Sequence, residues 1–203
     1  AHLQNAQIHA IEADLLFQSK LVDKSLAAYK RSLALDSNQF LIWNRILFIH
    51  SDQENWLAMY TDGMAAIDLF PNQGTLYYLA GIGAYQMKNY KGAIEVLETG
   101  KDFILDNNQL LVQLFSTLGD AYHSLEDHKN SDANFDKCLE LEPDNIAVLN
   151  NYSYYLSLRG EKLELAKSMS KKTIEKEPTS AIYLDTYAWI LFMNKEYEEA
   201  KKY

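Results

Sequence analysis

Short polar turns recur along this chain at nearly constant intervals, and this recurrence limits the available folds more than any other feature. The three prolines, Pro71, Pro143 and Pro178, are each followed by a polar pair, and the last two are 35 residues apart. Similar turns without proline lie at 36–38 and 106–108. A turn thus recurs about every 34–38 residues, a period that indicates stacked supersecondary units.

The segments between these turns share one spacing of large and small residues, which is clearest in the fourth segment. Its pattern residues are Phe115, Leu118, Gly119, Tyr122, Ser131, Phe135, Cys138 and Pro143. Residues three and four apart lie on one helical face, a small residue within that face lets a second helix approach closely, and proline ends a helix. Only 8 glycines and 3 prolines occur in 203 residues, which also favours long helices. Each segment is therefore predicted to form a helical hairpin that buries its apolar face against its neighbours.

This pattern resembles the tetratricopeptide repeat (TPR), and the resemblance extends over essentially the whole chain. It implies an all-α fold: a right-handed α–α superhelix of about five and a half helical hairpins, forming a single TPR solenoid over 1–203. The runs Leu149–Ser153 and Tyr183–Trp189 resemble bacterial TPR arrays in particular. The predicted repeats span 6–39, 40–73, 74–111, 112–145 and 146–180, with a partial sixth repeat at 181–203.

Two irregularities and the end of the chain modify this repeat pattern. About four extra residues near 106–109 predict an extra helical turn at that joint, and one extra residue lies in the turn at 160–162. The sixth repeat stops within its second helix, where Tyr197, Ala200 and Tyr203 recur at helical spacing. We expect the natural protein to be longer than this chain, and we expect the open C-terminal end to support self-association.

The resemblance also implies which residues face the groove of the solenoid. Two residues four apart on each first helix, with a third one turn further along, are expected to form this groove face. An asparagine amide can bond both the N–H and the C=O of a peptide, and Tyr and Trp bury large areas with few rotors to freeze. The alternative is that part of this face packs against the neighbouring first helix. The predicted partner-binding residues are Asn44, Phe48, Tyr78, Tyr85, Asp120, His123, Asn150, Tyr154, Asp185 and Trp189.

Signals for catalysis, cofactors and metals are weak. Gly81-x-Gly83 lacks the third glycine of a dinucleotide loop, since Gln86 stands there, and helix packing is favoured. The spacing of Asp120, His123 and His128 suits a divalent metal, but a groove-lining or capping role is favoured. Cys138 occupies a small-residue packing position, which predicts a buried and inert thiol. We therefore predict a chain that is not an enzyme and binds no cofactor or metal.

Charge narrows the class of partner. The formal net charge is −9 and both halves of the chain are acidic, so nucleic acid and anionic membrane surfaces are disfavoured. No apolar run approaches the roughly 18 residues of a membrane helix. TPR adaptors that clamp a terminal carboxylate use Lys and Asn on their first helices, whereas Arg45 is the only cation near the matching positions here. The expected partner is thus a neutral or basic protein or peptide.

Together these features predict a non-enzymatic scaffold that binds a peptide or protein partner in a concave TPR groove. The alternative is a structural or regulatory segment of a larger multidomain bacterial protein, including one of the cell envelope. The sequence is compatible with two locations of the protein, the bacterial cytoplasm and the periplasmic side of the cell envelope.

Overall fold

The computed structural model describes residues 5–203, which form two compact units that meet in sequence between Asn107 and Asn108. These residues contain twelve α-helices, one short 3-10 helix at Lys101–Phe103 and no β-strand. The first unit holds α1 (Ala6–Gln18), α2 (Val22–Leu35), α3 (Phe40–Asp52), α4 (Trp56–Leu69), α5 (Gly74–Gln86) and α6 (Tyr90–Gly100). The second unit holds α7 (Asn108–Ser124), α8 (His128–Leu141), α9 (Ile146–Arg159), α10 (Leu163–Lys176), α11 (Ala181–Met193) and α12 (Tyr197–Ala200).

The turns inside the hairpins share one backbone feature, although the turn between α9 and α10 also contains Gly160 with a φ of 67°. One non-glycine residue in each turn adopts a positive φ, between 46° and 65°, which reverses the chain within a few residues. In three hairpins an Asn or Asp caps the second helix by accepting a backbone N–H three residues on; these caps are Asn55, Asn89 and Asp127. The six residues with positive φ are Lys20, Glu54, Lys88, Glu126, Lys162 and Lys195.

In the first unit, two apolar clusters join successive hairpins. One cluster packs α3 residues Ile42 and Ile49 against Tyr29 and Leu33 of α2. The other surrounds α5 and includes Leu76 and residues of α4. Each helix pair therefore buries an apolar face that it could not bury alone, as the sequence pattern predicts.

Glycines on α5 allow close approach between helices. A Cβ on Gly81 would lie 2.3 Å from the Leu97 side chain, and a Cβ on Gly83 would lie 2.9 Å from the backbone nitrogen of Tyr60. Both glycines are buried within the helix. The helix-packing interpretation of Gly81-x-Gly83 is thus confirmed.

Small polar residues on the second helices bond to backbone carbonyls of the first helices. The Ser25 hydroxyl donates to the Ala13 carbonyl at 2.8 Å, and Ser131 donates to Gly119 at 2.9 Å in the second unit. Cys138 makes a similar contact with the Val112 carbonyl at 3.3 Å and has no exposed surface. Burial raises the pKa of this thiol to about 12, which fits the predicted inert cysteine.

The second unit has one core, centred on Phe135, Tyr152 and Leu156. Its first helix, α7, begins at Asn108 and has 17 residues, against 13 in α5, so the predicted extra turn at this joint is confirmed. The predicted all-α fold of successive helical hairpins is also confirmed for residues 5–203. The single continuous array over 1–203 stays a prediction. None of the described helices is long and apolar enough to cross a membrane.

Candidate functional site

Four of the ten predicted binding residues belong to the first unit, and their exposure differs widely. Phe48 on α3 is 57% exposed, which is unusual for a side chain of this size. Asn44, one turn earlier on α3, is half-buried. On α5, Tyr78 packs against the core and its burial raises the pKa of the phenol, while the Tyr85 ring lies 5.6 Å from that of Tyr90. The predicted groove face of α5 is thus partly used for packing, whereas on that of α3 Phe48 is exposed and Asn44 is half-buried.

Phe48 lines a cleft of about 600 Å³ that we call the α1–α3 cleft. An ion pair between Asp14 and Arg45 crosses it, and the Tyr29 hydroxyl donates to the same Asp14 carboxylate. Arg45 also donates to the Tyr29 oxygen at 3.0 Å, so its guanidinium is held in place. The residues that line the cleft are Asp14, Phe17, Gln18, Tyr29, Arg45, Phe48, Ile49 and Asp52. The sequence pattern predicts only Phe48 of these as a binding residue.

In the second unit, Tyr155 brings two predicted residues together. Its hydroxyl lies 2.9 Å from the Asp120 carboxylate and donates to it. Its ring stacks on the His123 imidazole, with the ring centroids 3.6 Å apart and the planes 11° from parallel. Asp120 and His123 lie on α7 and Tyr155 lies on α9, so the cluster joins two first helices.

Burial governs the ionisation of this cluster. It raises the pKa of Asp120 to about 6, although the Tyr155 hydroxyl partly offsets the effect. Burial also lowers the pKa of His123, and the neighbouring His128 and Arg159 lower it further. Burial is thus the largest cause of both pKa shifts, and it disfavours the charged form of each group.

Tyr155 does not appear in the sequence prediction, although its register gives a usable signal. It stands at the position of Ile49, Gly83, Ala121 and Ile190, which are buried in four of the other five first helices. A tyrosine at this packing position carries a hydroxyl that needs a polar partner. Asp120 on the preceding first helix supplies that partner.

The remaining predicted residues lie on α9 and α11. Tyr154 and Trp189 are each 38% exposed, and Asp185 is exposed. Trp189 stacks on Phe192 at 5.8 Å, and Phe192 in turn lies 5.3 Å from Tyr197 on α12. This aromatic row presents apolar surface to solvent.

Asn44 and Asn150 occupy the same register position on α3 and α9. The side-chain oxygen of each is buried and has no hydrogen-bond partner among the described residues. The Asn150 amide nitrogen makes one long contact, 3.4 Å, with Asn151. Both amides therefore have hydrogen-bonding capacity that the fold itself does not use.

No group of three or more His, Cys, Asp or Glu residues within 5–203 is arranged to hold a metal ion. The Asp120 carboxylate, which the sequence spacing pairs with His123 and His128, accepts its hydrogen bond from Tyr155. His123 and His128 lie side by side with ring centroids 6.1 Å apart.

A family model matches part of the second unit. Residues 112–145 match the family model described as Tetratricopeptide repeat. No curated protein sequence matches the chain.

Solved structures share the fold at low sequence identity. A fragment of MamA from Desulfovibrio magneticus RS-1 is 17% identical with a TM-score of 0.74, covering 87% of this chain and 97% of that one. YrrB, described as a TPR protein with an unusual peptide-binding site, is 18% identical with a TM-score of 0.69, covering 86% and 88%. PilW, a type IV pilus biogenesis factor, is 12% identical with a TM-score of 0.77, covering 97% and 89%.

Proposed function

Because the chain carries a tetratricopeptide repeat and has the fold of proteins built from it, we propose that it is a non-catalytic protein-interaction scaffold. It binds an extended segment of a partner protein along the groove faces of its first helices. Each unit has its own such face: α3 and α5 carry it in the first unit, and α7, α9 and α11 carry it in the second.

The observation that carries this proposal is the exposure of large aromatic side chains at groove-face positions. Phe48, Tyr154 and Trp189 stand on three different first helices and remain 57%, 38% and 38% exposed. Fully burying an exposed side chain such as Phe contributes about 1.5–3 kcal/mol, and covering the exposed fraction of these side chains contributes part of that. Tyr and Trp are also enriched among the residues that dominate binding energy at interfaces. A segment bound to either unit would cover the aromatic side chains of that unit.

The amides of Asn44 in the first unit and of Asn150 in the second each support contact with a peptide backbone. Their buried oxygens lack partners within the described residues, and each amide can serve both groups of a peptide backbone. Because hydrogen bonds to a peptide backbone do not depend on the side chains of the peptide, they permit ligands of many sequences. YrrB, a TPR protein with an unusual peptide-binding site, has the same fold.

The acidic composition favours a neutral or basic partner. With a net charge of −9, association with a basic segment is accelerated at low salt, and charge affects the rate more than the affinity. The same charge disfavours nucleic acid.

Several features support a role without catalysis. The Asp120 carboxylate and the His123 ring are both engaged by Tyr155, and the Cys138 thiol is buried with a raised pKa. A nucleophile or a general base needs an accessible group, and the Asp120 carboxylate, although its pKa of about 6 lies near neutrality, is partly buried and bonded to Tyr155.

A second proposal concerns the C-terminal end. Phe192 and Tyr197 are 51% and 49% exposed, and Tyr203 is 47% exposed. We propose that this aromatic surface supports self-association. Light scattering of the chain and of a Tyr197→Ser variant tests this, since an equal mass for both would contradict it.

Peptide selection tests the main proposal without a known partner. Twelve-residue peptides are selected from a displayed random library on the wild-type chain, and their affinities are measured for Asn150→Ala and Trp189→Ala. We expect each substitution to weaken binding about tenfold or more. Asn130→Ala on α8 and Leu57→Ala on α4 are matched controls at exposed sites on second helices. Equal binding by all four variants would refute a site on the groove face.

A further inference from the structure

We propose that the α1–α3 cleft binds a basic side chain, lysine or arginine, of the partner segment. This inference rests on the proposed peptide-binding function and specifies the chemistry of one subsite. It is carried by the charges and the apolar walls that meet in the cleft.

The apolar walls come from two facing helices. Phe17 on α1 is 49% exposed and Phe48 on α3 is 57% exposed, while Ile49 beside them is buried. Lysine and arginine place their methylene groups along such surfaces and keep the charged end in water. The face of an aromatic ring also attracts a cation.

The charge balance of the cleft selects a cation. Two carboxylates, Asp14 and Asp52, and one guanidinium, Arg45, line it. Arg45 is paired with Asp14 and bonded to the Tyr29 oxygen, so these two charges balance and Asp52 leaves the cleft with one negative charge in excess. No ion pair involves Asp52 among the described residues, and this side chain is exposed.

Asp52 is also well placed for the charged end of such a ligand. It lies four residues after Phe48, so both side chains share one face of α3. A ligand chain that crosses the rings of Phe17 and Phe48 therefore ends near a carboxylate. An apolar ligand would fill the same walls but leave Asp52 unpaired.

Matched short peptides test this assignment on the ¹⁵N-labelled chain by NMR. The probes are acetyl-Gly-Ala-X-Ala-Gly-amide, with X as lysine, norleucine or glutamate. We expect the lysine peptide to give saturable amide shifts on α1 and α3 near Phe17 and Phe48. Norleucine, which keeps the methylene groups and lacks the charge, should bind about fivefold more weakly, and the glutamate peptide should not shift these amides.

Two variants separate the charge from the walls. Asp52→Asn should weaken the lysine peptide about fivefold and leave norleucine unchanged, whereas Phe48→Ala should weaken both peptides. Asp68→Asn on α4 removes an equal charge outside the cleft and should change neither. Tighter binding of norleucine or glutamate, shifts only outside α1 and α3, or no saturable shift at all would each overturn the inference.

The two proposals fail separately. If the lysine peptide does not bind the cleft while library-selected peptides still depend on Asn150 and Trp189, only the basic subsite is refuted. If the selected peptides ignore Asn150 and Trp189, the groove-face proposal is refuted whatever the cleft binds.

Discussion

Replacing Asp120 with asparagine should change the pH dependence of stability in a direction set by burial. The pKa of this carboxyl is raised from near 4 to about 6, so the folded protein holds its proton more tightly than the unfolded chain does. The stability that this proton contributes is complete below pH 4 and is lost as the pH rises through 6. The full difference corresponds to about 3 kcal/mol, of which about 2 kcal/mol falls between pH 4 and pH 7.5.

Asparagine does not titrate, and its side-chain oxygen can still accept the Tyr155 hydroxyl. The free energy of unfolding of Asp120→Asn, minus that of the wild type, should therefore rise by about 2 kcal/mol from pH 4 to pH 7.5. Urea unfolding followed by circular dichroism measures this change, and other titrating groups cancel in the difference. Asp185→Asn, at an exposed carboxyl on α11, is the matched control. A difference that stays constant with pH would refute the reasoning.

Three further predictions concern packing, the tyrosine bridge and the thiol. Gly83→Ala should destabilise the first unit by about 2 kcal/mol in urea unfolding, because the new Cβ would lie 2.9 Å from the Tyr60 backbone nitrogen; an unchanged midpoint would contradict this. Tyr155→Phe should cost more stability at pH 7.5 than at pH 5, since the lost hydroxyl serves the Asp120 carboxylate best when that group is ionised; equal costs would argue against the bridge. Cys138 should react with a thiol reagent only after unfolding, and rapid labelling of the native chain would contradict its burial.

The hairpins could be predicted from the sequence because their signals are local. Large and small residues three and four apart determine which face of each helix is buried, and Gly81, Gly119 and Ala13 lie where that pattern requires close approach. The extra residues before Val112 also predicted an added turn, which the longer α7 contains.

Contacts between hairpins could not be predicted in the same way. The link from Asp120 to Tyr155 spans 35 residues and depends on how α7 and α9 pack. The ion pair between Arg45 and Asp14 likewise joins separate hairpins. The Asp14 carboxylate neutralises the charge of Arg45, which in the sequence has no evident partner. Spacing within one helix indicates that the Tyr155 hydroxyl needs a polar partner, but it does not identify the neighbour that supplies it. The binding role of the groove face stays a proposal.

Photocrosslinking of a library-selected peptide tests the central claim most directly. p-Benzoylphenylalanine is placed at the position of Phe48 or Tyr154 on the groove face, and at Leu57 or Leu165, which are exposed on the second helices α4 and α10. A scaffold that binds its partner on the first helices predicts crosslinks from position 48 or 154 and none from 57 or 165. Crosslinks confined to positions 57 and 165 would contradict it.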